Sequence, residues 1–273
     1  MKFLIIRFGA IGDVVLTSVV IRCLKKQLAD AEIHYLIQPE FKSLVEHNPY
    51  IDKIHLYETG NYKIADELAA EYYDHIIDLQ NNDASKQLVK FLKVPVHTYN
   101  KLSFQKSVFI NLKWNVMPKQ LHVVDRYMQT IEQFGVVNDG SGLDYFIPEN
   151  DETKEKDIPA SHHLGYIALC IGASFYTKKL PVHQLKELCK KIDHPIILLG
   201  HRKEFAEGEA IASVDTTKVY NACGKFNLNE SADLIRKSKL VITHDTGLMH
   251  IAAAFKKPII AIWGSTTDRK SVV

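Results

Sequence analysis

The sequence predicts an α/β protein of two domains, each a parallel sheet wrapped by helices. Three observations point there. Short apolar runs alternate with helical patterns from end to end, the arrangement that parallel sheets with right-handed crossovers require. The alternation stops at residues 138–160, rich in Asn, Asp, Gly, Glu, Lys and Pro, and then restarts. With 273 residues, 46% of them hydrophobic and 24% charged, the chain can bury two ordinary cores. The expected division is 1–137, a linker at 138–160, and 161–273.

In the first half the predicted strands are Phe3–Arg7, Ile33–Ile37, Lys53–Leu56, His75–Leu79 and Val94–Tyr99. Each is a brief apolar run bounded by polar or turn residues. The clearest helix is Val14–Gln27, where Leu16, Val19, Val20, Cys23 and Leu24 recur at helical spacing. A second, Val123–Phe134, is closed by Gly135. In the second half Gly165–Cys170, Pro195–Leu199, Lys218–Tyr220, Leu240–Thr243 and Pro258–Ile262 read as strands. Val182–Lys191, Glu204–Ala212, Asn229–Arg236 and Leu248–Phe255 read as the helices between them. Two Rossmann-like domains facing across a cleft are the expected architecture, with ligands at the carboxyl ends of the strands.

The loops at those ends carry the candidate chemistry. His244-Asp245-Thr246-Gly247 opens a helix after a strand. Unpaired first-turn amides and the positive end of the helix dipole make such a start an anion site. An ordinary helix cap is the plain alternative. Gly172-Ala173-Ser174 and Thr177-Lys178-Lys179 precede Pro181, which suits the start of the next helix. Hydroxyls and lysines at that place suit a phosphate, although paired lysines are more often solvated surface. Glu204, after Gly200-His201-Arg202-Lys203, is placed to accept hydrogen bonds from a ribose, or is an exposed helix-start acid. In the first half, Gly9-Ala10-Ile11-Gly12-Asp13 follows the opening strand. Its two glycines permit a tight turn, and Asp13 is either a helix cap or a general base.

Several classes are disfavoured. The first loop is not G-x-G-x-x-G, so a nicotinamide or flavin has little support. G-x-S-x-G is absent, and no His or carboxylate pair stands at metal-ligand spacing, so no metal and no cofactor are expected. The four cysteines lie far apart, as in a reduced cytosol. The opening apolar run is too short for a leader or a membrane span, so a cytoplasmic protein is expected. Net charge is only +2, which gives no global case for nucleic acid. Residues 84–124 nonetheless lack any acid and carry Lys86, Lys90, Lys93, Lys101, Lys106, Lys113 and Lys119 among Phe91, Phe104, Phe109 and Trp114. That stretch is a solvated face, or a basic rim for an anionic lipid-linked acceptor or a membrane surface. No single helix in it reads as strongly amphipathic, so insertion is not expected.

Taken together, the opening strand with Gly9-Ala10-Ile11-Gly12-Asp13-Val14-Val15-Leu16-Thr17 and the segment His244–Ala253 resemble glycosyltransferase family 9, the heptosyltransferases of lipopolysaccharide core synthesis. The resemblance implies a GT-B fold and a metal-independent, inverting transfer of heptose from an ADP-sugar donor to a lipid A–core acceptor. It implies Asp13 as catalytic base, with Gly12 beside it as a substrate-binding residue. Lys178 and Ser174, with Ala173, would meet the diphosphate. Asp245, Thr246, Gly247 and His250 would hold the diphosphate and sugar, and Glu204 the ribose. Leu180 stands where the family usually has tryptophan. Against the family's length the C-terminal end is expected to be shortened, which makes a catalytically inert GT-B-like nucleotide or glycan binding protein the alternative. Peripheral contact with the cytoplasmic face of the inner membrane also follows.

Overall fold

Strands whose residues are apolar without alternation must be covered on both faces, and the central strands here are. Phe3 to Ile6 and Ile196 to Leu199 are fully buried in the computed structural model, which describes residues 1–60, 63–101, 122–173 and 175–264. The chain divides into two compact units, Met1–Ser141 and Gly142–Val273.

The first unit is a five-stranded parallel sheet of β1 (Lys2–Ile6), β2 (Glu32–Ile37), β3 (Lys53–Leu56), β4 (His75–Asp78) and β5 (Val96–Thr98), in the order β3-β2-β1-β4-β5. Its helices are α1 (Ile11–Leu16), α2 (Ser18–Gln27), α3 (Lys63–Ala69), α4 (Asp83–Leu92) and α5 (Val123–Met128). The helix expected over Val14–Gln27 is two, and it begins earlier. Thr17 lies at the break, its hydroxyl donating to the Val14 carbonyl at 2.7 Å and meeting the Tyr35 hydroxyl at 2.9 Å. A threonine bonding back to the preceding turn competes with the helical ladder. The helix expected over Val123–Phe134 likewise ends at Met128 and continues as a 3-10 turn, Glu132–Phe134. Gly135 closes it with φ 75, the left-handed conformation that glycine adopts at lowest cost.

The second unit repeats the plan with β6 (Ile167–Cys170), β7 (Ile196–Leu199), β8 (Val219–Asn221), β9 (Leu240–His244) and β10 (Ile259–Ile262), in the order β10-β9-β6-β7-β8. Its helices are α6 (Val182–Lys191), α7 (Phe205–Ala212), α8 (Leu228–Lys237) and α9 (Gly247–Ala254). Read from the opposite edge, its strand order is that of the first sheet. The central strand of each sheet, β1 or β6, is therefore flanked by the strand that follows it and by the strand reached after the crossover reverses. Such a reversal leaves a crevice at the carboxyl ends of the two strands, between β1 and β4 or between β6 and β9.

Residues 142–160 group with the second unit and are anchored on α8. The Tyr145 hydroxyl donates to Asn229 at 2.6 Å, and the backbone N–H and hydroxyl of Thr153 both donate to the buried Asp233 carboxylate at 2.7 Å. Lys237 and Arg236 neutralise the same carboxylate. A polar stretch that satisfies a buried charge in this way belongs to the domain it satisfies. Four buried cysteines carry no disulfide. Among the described residues no helix is long and apolar enough to cross a membrane.

Candidate active site

In the first unit the site is made by one loop. β1 is rigid and buried, so it fixes the position of Arg7, the residue that follows it. The Arg7 guanidinium is itself almost buried. It donates to the carbonyls of Leu79 at 2.8 Å and Gly9 at 3.1 Å, and to the Asp13 carboxylate at 2.5 Å. Burial opposes its charge, but the facing Tyr127 and Asp13 more than offset this and hold its pKa above the ordinary arginine value. The Phe8 backbone N–H reaches the Gln80 side chain at 3.1 Å. Arg7 and Phe8 thus tie the loop after β1 to the loop after β4.

Asp13 sits in the first turn of α1, with its side chain 20% exposed. It is not the helix cap. The cap position is Ala10, whose φ of 66 and ψ of 114 lie outside the regions that L-residues favour. The tight turn expected at the glycines is thus made at Ala10. Gly9 serves space instead: a Cβ there would lie 2.2 Å from the Phe41 ring. Gly12 falls inside α1. Nearby, burial and the charge of Arg7 hold the Lys101 ammonium below the ordinary lysine range, and Asp13 and Lys86 also act on it.

In the second unit the site is assembled from separate loops. Lys178 ends a 3-10 turn, Tyr176–Lys178, after β6, while Asp245 follows β9. Because β6 and β9 are adjacent, the Lys178 ammonium donates to the Asp245 carboxylate at 2.6 Å across 67 residues of sequence. Lys179 turns the other way, to Glu207 at 2.8 Å and Glu204 at 3.3 Å. Neither lysine is simply a solvated surface charge. His244, fully buried at the end of β9, accepts from the Leu180 backbone N–H at 2.9 Å and so fixes the far side of the lysine loop. Burial, ahead of its backbone contacts at Gly172 and Ile171, keeps this histidine below its ordinary pKa.

α9 begins at Gly247 with Thr246 as an extended cap residue that makes no side-chain cap bond. The helix start at Asp245, Thr246 and Gly247 therefore lies beside the Lys178 ammonium. His250 lies one turn further, 5% exposed. Pro181, expected as the first helical residue, is the cap one position earlier. Ser174 lies outside the described residues, as do Phe104, Lys106, Phe109, Lys113, Trp114 and Lys119 of the basic stretch. Of that stretch, α4 packs Ala84, Leu88, Val89 and Leu92 inward and leaves Lys86, Lys90 and Phe91 exposed.

Glu204 is not the exposed helix-start acid that its position first suggests. It is 1% exposed, and its carboxylate accepts from the His201 N–H at 3.1 Å as well as from Lys179. A buried carboxylate needs such partners, since an unpaired one would cost several kcal/mol. Beside it a cavity of about 400 Å³ opens at the ends of β7 and β8, lined by Arg202, Lys203, Phe205, Cys223, Gly224 and Lys225. Its cations and aromatic ring suit a nucleoside.

Three residues that the sequence did not mark support these sites: Arg7, His244 as a backbone acceptor, and Gly264. A Cβ at Gly264 would lie 2.4 Å from the Thr177 carbonyl, so the chain leaving β10 presses directly on the lysine loop. Only Arg7 carried a sequence signal, as a charge immediately after a buried strand.

The family described as glycosyltransferase family 9 (heptosyltransferase) matches residues 61–271. The chain is 27% identical over 302 residues to lipopolysaccharide heptosyltransferase 1 of Campylobacter coli, covering 99% of this chain and 86% of that protein. It is 28% identical over 296 residues to lipooligosaccharide heptosyltransferase 2 of Haemophilus influenzae, covering 98% and 85%. The solved structure of Escherichia coli heptosyltransferase WaaC with ADP superposes with a TM-score of 0.74 at 21% identity, covering 98% of this chain and 88% of that one. This last likeness shows the fold, two parallel-sheet units of the GT-B class. The chain belongs to glycosyltransferase family 9 (heptosyltransferase) and is a glycosyltransferase.

Proposed function

We propose that the protein transfers heptose from ADP-heptose to a lipopolysaccharide core acceptor with inversion at the anomeric carbon. The observation that carries this is the Lys178–Asp245 pair at the head of α9, drawn together from two loops at the reversal point of the second sheet. Supporting it, a similar solved heptosyltransferase is bound to ADP, and the two relatives named above act on lipopolysaccharide or lipooligosaccharide.

The chemistry divides between the two units. Asp13 takes the proton from the acceptor hydroxyl, whose oxygen forms the new bond to the anomeric carbon. The bond from that carbon to the diphosphate breaks, and its electron pair leaves with ADP. Arg7 holds the Asp13 carboxylate by one oxygen and fixes its direction. As the sugar bond breaks, charge grows on the diphosphate. The Lys178 ammonium and the first amides of α9, at Gly247 and beyond, stabilise it in place of a metal ion, a contribution of about 3 kcal/mol for one such donor. Asp245 and His250 take the sugar end, Thr246 and Ser174 donate to the diphosphate, and Glu204 accepts from the ribose beside the nucleoside cavity. Arg7 and Lys101 near Asp13 favour an anionic acceptor. The exposed Lys86, Lys90, Lys93 and Phe91 suit peripheral contact with an anionic membrane surface on the cytoplasmic side.

The test is transfer from ADP-heptose to heptose-deficient lipopolysaccharide, in the presence of a chelator. Transfer that survives chelation, with inverted anomeric configuration by NMR, supports the proposal in full. Retained configuration removes the Asp13 mechanism. ADP binding without any transfer leaves the chain a binding protein.

A further inference from the structure

On the first sheet three side chains from separate elements converge. His34 lies on β2, His55 on β3 and Glu71 in the segment after α3. One ligand atom from each lies within 4.8 Å of the others. His34 Nδ1 is 3.1 Å from His55 Nε2 and 3.9 Å from the Glu71 carboxylate. The Tyr73 hydroxyl is 2.9 Å from the first and 3.1 Å from the second. Donors about 2.0–2.1 Å from a tetrahedral ion sit roughly 3.3 Å apart, so these spacings surround the separation such an ion needs.

We propose that His34, His55 and Glu71 form a binding site for a divalent transition ion of the zinc class, with the Tyr73 hydroxyl or a water as fourth donor. This proposal stands independently of the transfer reaction. Its first support is the orientation of His34. The Nε2 of that ring is 2.9 Å from the Glu32 carboxylate, which fixes its proton there and aims the Nδ1 lone pair into the cluster. A carboxylate behind a ligating imidazole is how protein metal sites orient their histidines.

A second support is the charge already gathered on the carboxylate: Glu71 accepts from the Lys2 ammonium at 2.5 Å and from the Lys53 ammonium. Those lysines supply the positive charge that a cation would replace. Lys53 is half-exposed and can swing into solvent, while Lys2 keeps its second partner, Glu32, at 3.2 Å. Bound metal would join β2, β3 and the chain entering β4, tying strands together rather than entering the loop that carries Asp13.

The experiment is titration of the tag-free full chain with zinc, read by dialysis and calorimetry, and with cobalt, read by its visible spectrum. One ion per chain at micromolar zinc is expected, with a tetrahedral cobalt spectrum and an unfolding midpoint raised by about 5 °C at 100-fold excess over Kd. His55→Gln and Glu71→Gln should each weaken binding at least ~10-fold. Lys53→Ala should tighten it by removing a competing cation, a gain that a purely structural hydrogen-bond network would not produce. No uptake by the wild-type chain overturns the proposal. So does uptake unchanged in Glu71→Gln, which keeps the test decisive if His55→Gln fails to fold.

Discussion

The two units share a strand order yet build their reactive loops in opposite ways. In the first, Arg7 and Asp13 are six residues apart, one just after β1 and the other in the first turn of α1, and the turn between them runs through Ala10 at φ 66. In the second, Lys178 and Asp245 come from loops 67 residues apart, and no residue between them other than glycine has a positive φ. What holds that pair is packing around the loop: His244 under Leu180, and Gly264 against Thr177. The same crevice can thus be equipped locally or by the register of neighbouring strands. A local site depends on dihedral angles, and a distributed one on the neighbours' volumes and protonation.

The sharpest way to break the comparison is to remove each unit's central charge. Asp13→Asn keeps the shape of the first loop but no longer accepts a proton. Transfer should fall by about 10²–10⁴, the usual contribution of a general base, while ADP affinity by calorimetry stays unchanged. Lys178→Ala should show the complementary pattern, with kcat lower by about 10²–10³ and ADP binding weakened as well. If Asp13→Asn lost ADP affinity, or Lys178→Ala kept it, the division of labour between the units would be wrong.

Gly264→Ala probes the packing of the distributed site without touching a charged group. The new methyl would sit 2.4 Å from a backbone carbonyl, which cannot rotate away as a side-chain tip would. Overpacking of this kind costs about 1–3 kcal/mol. Shifting of the lysine loop should weaken ADP binding by about 10-fold, equivalent to 1.4 kcal/mol. The corresponding change in the first unit, Gly9→Ala, meets the Phe41 side chain first rather than backbone.

The distributed site should also respond to pH through the histidine that supports it. His244 can accept the Leu180 N–H only while that nitrogen is unprotonated. Its folded pKa lies below the ordinary 6.5, so the unfolded chain binds the proton more readily. The support is therefore complete above pH 6.5 and is lost as pH falls through the folded value. ADP affinity should decline a few-fold on the acid side in the wild type. In His244→Gln that decline should be absent, and its persistence would place the titrating group elsewhere.

These differences explain what was legible in the sequence. Every predicted strand is present to within about two residues at either end; β1, β6 and β7 announce themselves as buried apolar runs, while the partly exposed β3 and β5 are marked by the turns that bound them. α6 was readable to the residue, whereas α1 and α2 merged into one helix because Thr17 breaks the ladder through a hydroxyl partner on β2. Asp13, Lys178 and Asp245 were each marked by their loop. Their partners were not. Arg7 looked like the end of a strand, and the Lys178–Asp245 contact depends on strand order, which composition does not encode. The burial of Glu204 was equally hidden, since it depends on Lys179 and His201 closing over it.

The smallest effect tests the local site's strain directly. Ala10 holds φ 66 with ψ 114, a conformation open to glycine but unfavourable for alanine. Backbone strain of this kind costs about 1–3 kcal/mol in the folded state. Glycine would remove it, while its greater freedom in the unfolded chain takes back about 0.4–1 kcal/mol. Ala10→Gly should therefore stabilise the first unit by about 1 kcal/mol, read as a higher midpoint in urea with an unchanged slope. Transfer should not improve, because the loop that presents Asp13 to its acceptor becomes freer to leave the position Arg7 imposes. A less stable Ala10→Gly protein would mean that the surrounding contacts, Phe8 on Tyr57 and Arg7 on Gly9, already compensate the strain in full.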